Sequence, residues 1–202
     1  MNYLAHLYLS GASPGIVTGN FMGDFIKGRV GDGYPPAILS GIRLHRGIDS
    51  FVQSHSVFHR SRQRISLHYG HFRGVMVDLF CDHFLAHDWH QWAQEPLSDW
   101  LGEIRQVVEA NVFHLPEPLV QLLPVIFDDL IPSYKDIDGV GRALERMSRR
   151  IGRPNPLRGG EIELSRHYGV LRNDFYAFMP DVRRFAADFL ANEFHPDDGI
   201  SA

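Results

Sequence analysis

The stretch FRGVMVDLFCDHFLAHDWHQW, from Phe72 to Trp92, decides the fold of this 202-residue chain. It contains no proline and a single glycine near its start, and apolar residues fall on nearly every face of a helix drawn through it. A helix that is apolar all round is buried on all sides. We therefore predict that this stretch forms a central helix, around which the rest of the chain packs.

Helical periodicity also dominates on both sides of the central stretch. Apolar residues recur at intervals of three and four, and alternation with a period of two nowhere outcompetes this pattern. The predicted helices cover residues 12–27, 36–55, 58–68, 96–112, 119–131 with a kink at Pro124, 137–151, and a long final helix that begins near Glu161. The sequence thus predicts an all-α fold, with one helical domain over residues 1–194 and a frayed polar tail over residues 195–202.

Composition narrows the classes of function. Apolar residues make up 44% of the chain, enough for a buried core, and the formal net charge of −4 argues against the broad basic surface that nucleic-acid binding needs. No apolar run reaches the length of a membrane span, the lone Cys81 cannot form an internal disulfide, and the first residues lack the features of a signal peptide. We expect a cytoplasmic protein without nucleic-acid or membrane partners, and composition leaves its oligomeric state open. The 12 histidines point to metal or proton chemistry.

Several histidines and aspartates lie on faces that the pattern predicts to be buried. Asp78 and Asp82 are four residues apart on the apolar central helix, where unpaired carboxylates are costly, and His83 follows them. His45 and Asp49 share the same spacing, which lets both side chains reach one ion. The predicted metal ligands are His6, Asp24, His45, Asp78, Asp82 and His83. Carboxylate and imidazole ligands without cysteine suit Mn²⁺, with Mg²⁺ or Fe²⁺ as alternatives.

Each of these residues also has an ordinary structural interpretation. A lone histidine on an apolar face, such as His6, is more often a hydrogen-bonded core residue, and Asp24 fits a helix cap or an arginine partner equally well. His45 and Asp49 fit a simple ion pair on one helix. Their joint occurrence with two acids on the central helix favours the metal site.

Arginines suggest how a phosphate and a partner would bind. Arg46 directly follows His45, so its guanidinium is placed to hold a phosphate bidentately, and the predicted catalytic residues are Asp24, His45, Arg46 and Asp49. Two further groups of arginines are usually only solvated faces, yet in a net acidic chain they fit docking of an acidic partner. The predicted partner-binding residues are Arg60, Arg62, Arg64, Arg142, Arg146, Arg149 and Arg150.

Several short motifs follow one another in a specific order and at specific separations. They are Asn2-Tyr3-Leu4-Ala5-His6-Leu7, Gly19-Asn20 with Asp24, His45-Arg46-Gly47-Ile48-Asp49, Asp78 with Asp82-His83-Phe84-Leu85, Trp89 and, more weakly, Met147 to Arg150. Together they resemble the acyl carrier protein phosphodiesterase family over nearly the whole chain. The resemblance implies a fold similar to the helical HD-domain phosphohydrolases and Mn²⁺ as the favoured ion. It also implies hydrolysis of the phosphodiester that joins 4′-phosphopantetheine to a serine of the holo-acyl carrier protein. The usual His-Asp doublet is reversed here to Asp82-His83, so the ligands cannot be copied from ordinary HD enzymes.

Two other functions compete with this interpretation. An HD-like phosphohydrolase acting on a nucleotide or another small phosphodiester would need no docking arginines. A helical protein that binds the carrier without catalysis would tolerate replacement of the buried acids. The second alternative leaves Asp78 and Asp82 inside an apolar helix unexplained.

Overall fold

The computed structural model describes residues 1–29 and 33–194, and no strand occurs among them. The α-helices are α1 (Tyr3–Tyr8), α2 (Pro14–Phe21), α3 (Pro36–Ser54), α4 (Ser56–Arg64), α5 (Arg73–His87), α6 (Leu97–Ala110), α7 (Glu117–Val120), α8 (Leu123–Val125), α9 (Ile131–Ser133), α10 (Ile137–Ile151), α11 (Glu161–Arg166) and α12 (Tyr168–Phe194). Short 3-10 turns occur at Gly23–Phe25, Leu67–Phe72, Trp89–Gln91 and Val112–His114, and a π-turn at Ile126–Leu130. The prediction of an all-α fold is confirmed.

Helix α5 occupies the centre of this arrangement. It contacts α1, α4, α10 and α12, and side chains such as Met76, Leu79 and Phe84 are completely buried around it. After α5 ends at His87, the chain continues as the 3-10 turn Trp89–Gln91. The central position that the apolar pattern predicts is therefore confirmed, with a helix that ends a turn earlier.

The segment predicted as one helix over residues 12–27 ends early. Helix α2 stops at Phe21, and a 3-10 turn over Gly23–Phe25 follows, closed by a hydrogen bond from the Ile26 amide to the Gly23 carbonyl. A Cβ atom on Gly23 would lie 2.2 Å from Cγ of His45, so only glycine permits this close approach. The turn places Asp24 beside α3.

Two other segments are more interrupted than their periodicity predicts. In place of one kinked helix over residues 119–131, the chain forms short pieces joined by the π-turn. Pro124 and Pro132 each stand at the second residue of a new short helix, where the missing amide N–H costs no helical hydrogen bond. The long final helix is interrupted once, at His167, between α11 and α12.

Buried apolar residues from Met1 to Ala186 form one hydrophobic cluster. A single domain over residues 1–194 remains a prediction, and the predicted tail at 195–202 lies outside the described residues. Within the described ranges, none of the helices combines the length and the apolar character that crossing a membrane requires.

Candidate functional site

Helices α2 and α3 cross at very short range, and this crossing shapes the site. A Cβ atom on Gly19 would lie 2.1 Å from the carbonyl oxygen of Ile38, and one on Gly41 would lie 2.3 Å from that of Ile16. The two glycines therefore let the backbones touch. As a result, Asn20 on α2 comes against His45 on α3, whose Nδ1 lies 2.8 Å from the Asn20 carbonyl oxygen.

Four of the predicted site residues meet at this crossing. Nε2 of His6 lies 3.2 Å from Oδ1 of Asp49, and Nε2 of His45 lies 3.4 Å from Oδ2 of the same carboxylate. Asp24 approaches from its 3-10 turn, with Oδ1 at 3.5 Å from Nε2 of His45. The imidazole rings of His6 and His45 stack with their centroids 3.9 Å apart. His6, His45 and Asp49 each offer one ligand atom, and these atoms lie within 4.8 Å of one another.

Asn20 determines which nitrogen of each histidine carries the proton. Its Nδ2 donates to the His6 carbonyl oxygen at 2.8 Å and to Oγ of Ser10 at 2.9 Å, which fixes the orientation of the amide. Its Oδ1 therefore accepts a hydrogen bond from Nδ1 of His6 at 2.9 Å. The Asn20 carbonyl oxygen likewise accepts from Nδ1 of His45. In the neutral form of both rings, Nε2 presents a lone pair toward the carboxylates.

Nε2 of both histidines and the Asp49 carboxylate therefore converge as acceptors, and the Met1 amino group, 3.5 Å from Oδ1 of Asp49, is the donor beside them. Burial lowers the pKa of His6 to about 4, so this ring is neutral at pH 7. The charge of the Met1 amino group favours the ionised form of Asp49. Nε2 of His45 is buried and has no hydrogen-bond partner. Two imidazole lone pairs and a carboxylate that converge in this way fit a divalent cation.

The other acids of the predicted ligand set lie next to this cluster or behind it. Asp78 on α5 contacts the Met1 amino group, with Oδ1 at 2.9 Å, and the same amino group lies 3.5 Å from Oδ1 of Asp49. Asp82 is completely buried and accepts from the amides of Asn2 at 3.2 Å and Leu4 at 2.8 Å. Asp82 thus holds the start of α1, the helix that carries His6, and we leave it out of the ligand set proposed below.

His83 is not part of the cluster. Its Nδ1 lies 2.6 Å from the Tyr134 carbonyl oxygen and its Nε2 lies 3.1 Å from the Tyr168 hydroxyl. Both ring nitrogens are therefore occupied on another side of α5. Since the predicted metal role of His83 needs a free nitrogen near His45, the structure gives that role no geometric support.

Arg46 lies beside the site, but its guanidinium forms hydrogen bonds with main-chain carbonyl oxygens. Its guanidinium donates to the carbonyl oxygens of Ile26 at 3.0 Å and Gly28 at 2.8 Å. These contacts hold the segment that follows the turn carrying Asp24. A role for Arg46 in holding phosphate remains a prediction.

The predicted partner-binding arginines differ in whether they already form ion pairs within the chain. Arg60 and Arg64 both bind the buried carboxylate of Asp174, at 2.7 and 2.9 Å. On α10, Arg146 pairs with Asp129. The remaining members take other positions: Arg62 beside Gly74, Arg142 beside Lys135, Arg149 paired with Glu145, and Arg150 in the cleft described next.

A cleft of about 720 Å³ opens beside the cluster. The polar part of its lining includes Asp24, Asp49, Asp78 and Tyr3. Residues 122–130 and α10 supply much of the rest, which is mainly apolar and includes Leu122, Val125, Ile126, Leu130, Met147, Ile151, Arg146 and Arg150. A cleft that combines acceptors with a large apolar lining fits a substrate that has a charged group and an extended, mostly apolar arm.

Two residues of the site could not be predicted from the pattern of charged residues in the sequence. Asn20 and Tyr3 carry no charge and have no ligand spacing, so the patterns assign them no role. The signal that identifies Asn20 is its position directly after Gly19, opposite Gly41, where only a close helix crossing explains both glycines. No comparable signal marks Tyr3.

Comparisons with known proteins agree with the motifs. Residues 1–182 match the family described as acyl carrier protein phosphodiesterase. Over 188 residues the chain is 29% identical to the acyl carrier protein phosphodiesterase of Pectobacterium atrosepticum, a match that covers 92% of this chain and 97% of that protein. It is 28% identical over 182 residues to the protein of the same name from Escherichia coli K12, with 89% and 94% covered. No solved structure matches the chain, so similarity to HD-domain enzymes remains a prediction. The family match extends over most of the chain, and the chain therefore belongs to the acyl carrier protein phosphodiesterase family.

Proposed function

We propose that this protein is a metal-dependent phosphodiesterase that hydrolyses 4′-phosphopantetheine from holo-acyl carrier protein, giving the apo carrier and free phosphopantetheine. The observation that carries the proposal is the convergence of one ligand atom each from His6, His45 and Asp49, with Nε2 of His45 left without a hydrogen-bond partner, beside a cleft of about 720 Å³. Family membership supports the choice of substrate, because the relatives are named for this reaction.

His6, His45 and Asp49 would hold the ion, and Mn²⁺ is our first choice, with Mg²⁺ or Fe²⁺ as alternatives. A divalent ion held there would supply Lewis acidity, to activate water and to polarise the phosphoryl group. Asn20 would keep both imidazoles in the tautomer that ligation needs.

Asp24 is the residue that we propose as the general base. Its side chain is 58% exposed, compared with 42% for Asp49, and it lines the cleft beside His45. An aspartate this exposed is ionised at neutral pH. An ionised carboxylate at the mouth of the cluster is placed to accept a proton from the attacking water.

The cleft and α10 together fit the proposed substrate. The apolar wall formed by residues such as Ile126 and Met147 would contact the pantetheine arm, while the polar end receives the phosphodiester. Arg146 and Arg150 of α10 line the cleft, and we propose that they, with Arg142 and Arg149 of the same helix, attract the acidic carrier against the net negative charge of the chain.

The experiment incubates the purified protein with holo-acyl carrier protein and follows the carrier by mass spectrometry. We expect loss of the phosphopantetheine mass and release of phosphopantetheine with Mn²⁺, and no reaction after treatment with a chelator. Replacement of Asp49 by Asn should lower turnover by at least about 100-fold, because a metal ligand is lost.

An unmodified holo carrier after incubation with Mn²⁺-loaded protein would count against the proposal. If the carrier stays intact while a small phosphodiester is cleaved, the small-substrate alternative is favoured. If the carrier binds but nothing is cleaved, the non-catalytic alternative is favoured.

A further inference from the structure

Two arginines of α10 line the cleft, and they differ in their partners. Arg146 forms an ion pair with Asp129 at the surface. Arg150 lies one turn further along the same helix, and no carboxylate in the described part of the chain forms an ion pair with it. Its guanidinium is therefore available to a ligand in the cleft.

Tyr3 connects Arg150 with the acceptor cluster. Tyr3 lines the same cleft as Arg150 and Asp24. Burial raises the pKa of the Tyr3 hydroxyl, and the charge of Arg150 opposes that shift. Tyr3 stands three residues before His6 on α1, on the same side of that helix. The cleft therefore receives hydrogen-bond donors from both Tyr3 and Arg150, in the same lining as the carboxylates of the site.

The charge of the cleft gives this pair a role. A phosphodiester carries one negative charge, whereas a divalent ion and the Met1 amino group only balance the carboxylates of Asp24, Asp49 and Asp78, so a further cation is needed to hold the phosphate. A guanidinium offers two parallel N–H donors that match the two non-bridging oxygens of a phosphate. A tyrosine hydroxyl supplies a third, neutral donor.

We propose that Arg150 and Tyr3 form the phosphate-binding subsite of the cleft. This inference rests on the proposed function, since it assigns to these two side chains the binding of the phosphate group at which the reaction takes place. It also gives Arg150 a different role from the other arginines of α10, because Arg150 contacts the substrate inside the cleft and does not act only by attracting the carrier.

The test compares two ligands that differ only in the phosphate, 4′-phosphopantetheine and pantetheine. Binding of each to the Mn²⁺-loaded protein is measured by titration calorimetry for the wild type, Arg150→Ala, Arg150→Lys and Tyr3→Phe. The matched control is Arg184→Ala, because Arg184 is an exposed arginine of α12 that pairs with Asp181 and does not line the cleft. Thermal melts confirm that each variant is folded.

We expect the wild type to bind phosphopantetheine more tightly than pantetheine. Arg150→Ala should reduce that preference by roughly 10-fold to 100-fold, the usual effect of losing a charge-assisted hydrogen bond. Arg150→Lys should keep part of the preference, since it retains the charge but loses the two parallel N–H donors of the guanidinium. Tyr3→Phe should have a smaller effect, and Arg184→Ala should match the wild type.

Two results would overturn the subsite. One is a wild type that binds both ligands equally. The other is an Arg150→Ala variant that keeps the full preference. If the KM of that variant for the holo carrier also rises, Arg150 is a docking residue. A wild type that fails to cleave the carrier but prefers phosphopantetheine, with the preference lost in Arg150→Ala, would support the subsite while removing the proposed reaction.

Discussion

At the scale of single residues, the site depends on an uncharged side chain. Asn20 contacts His6 through Oδ1 of its side chain and His45 through its main-chain carbonyl oxygen, so one residue sets the tautomer of both rings. Outer contacts of this kind typically change metal affinity by about 10-fold to 100-fold. Asn20 is therefore the position where a small change tests the geometry without removing a ligand.

We expect Asn20→Ala to weaken Mn²⁺ binding by roughly 10-fold to 100-fold while the helices remain, as measured by calorimetry and circular dichroism. The matched control is Thr18→Val on the same helix, because the Thr18 hydroxyl is buried and donates only to the Pro14 carbonyl oxygen. The variant removes only the contact to His6, because alanine keeps the main-chain carbonyl that pairs with His45. Equal Mn²⁺ affinities for wild type and Asn20→Ala would show that the tautomer of His6 is set in another way.

The buried His6 also predicts how stability depends on pH. Burial lowers its pKa from 6.5 to about 4 in the folded protein, whereas the unfolded chain titrates at the ordinary value. Between these values the unfolded state binds more protons, so the free energy of unfolding falls as pH falls from about 6.5 to about 4. The loss from this group is roughly 3 kcal/mol at pH 4.

The measurement is denaturant unfolding of the metal-free protein at several pH values, for wild type and His6→Gln. We expect the variant to show a flatter dependence on pH over this range, because the titrating ring is gone. The same slope in both proteins would mean that His6 is not the group responsible.

At the scale of the elements, the crossing of α2 and α3 carries the site. Gly19→Ala would place a Cβ atom 2.1 Å from the Ile38 carbonyl oxygen, and that oxygen belongs to backbone that cannot move freely. We expect a loss of at least about 2 kcal/mol in the free energy of unfolding together with weaker Mn²⁺ binding, since the helices must separate. Chemical denaturation and calorimetry measure the two effects.

The control for this prediction is Gly102→Ala in α6. A Cβ atom there meets nothing within 4 Å, and Gly102 lies inside a helix. Alanine at such a position should leave stability unchanged or raise it by up to about 1 kcal/mol. If Gly19→Ala behaves like Gly102→Ala, the close crossing is not required.

The elements also show which structure could be predicted from sequence. The boundaries of α10 and the central place of α5 follow from local periodicity, because the apolar positions that the pattern identifies are those that each helix buries. The 3-10 turn at Asp24 does not, since it depends on the approach of His45 to Gly23 across the fold. Likewise, spacing places Asp78 and Asp82 on one face, but only the position of α1 shows that Asp82 binds backbone amides.

At the scale of the whole molecule, charge governs the encounter with a carrier. The chain has a formal net charge of −4, so an acidic partner needs a local basic surface; α10 carries Arg146 and Arg150 in the cleft lining and Arg142 and Arg149 elsewhere along the helix. Arg60 and Arg64 are committed to the buried Asp174. Reversing those two charges should therefore lower stability, because Asp174 would be left without its cations.

Reversal of Arg142 and Arg149 to Glu should act on binding instead. We expect a higher KM for the holo carrier with kcat unchanged, and a defect that grows as salt is lowered, because screening weakens. Steady-state kinetics at several salt concentrations measure this, with hydrolysis of a small phosphodiester as the internal control. An unchanged KM in the double variant would place docking on another surface.

Anomalous diffraction at the manganese edge, from crystals soaked in MnCl₂, tests whether His6, His45 and Asp49 hold one divalent ion. We expect one strong peak within ligand distance of Nε2 of His6, Nε2 of His45 and the Asp49 carboxylate, absent in crystals of His45→Ala. Manganese bound elsewhere, or no peak at this cluster at a concentration that supports hydrolysis, would contradict it.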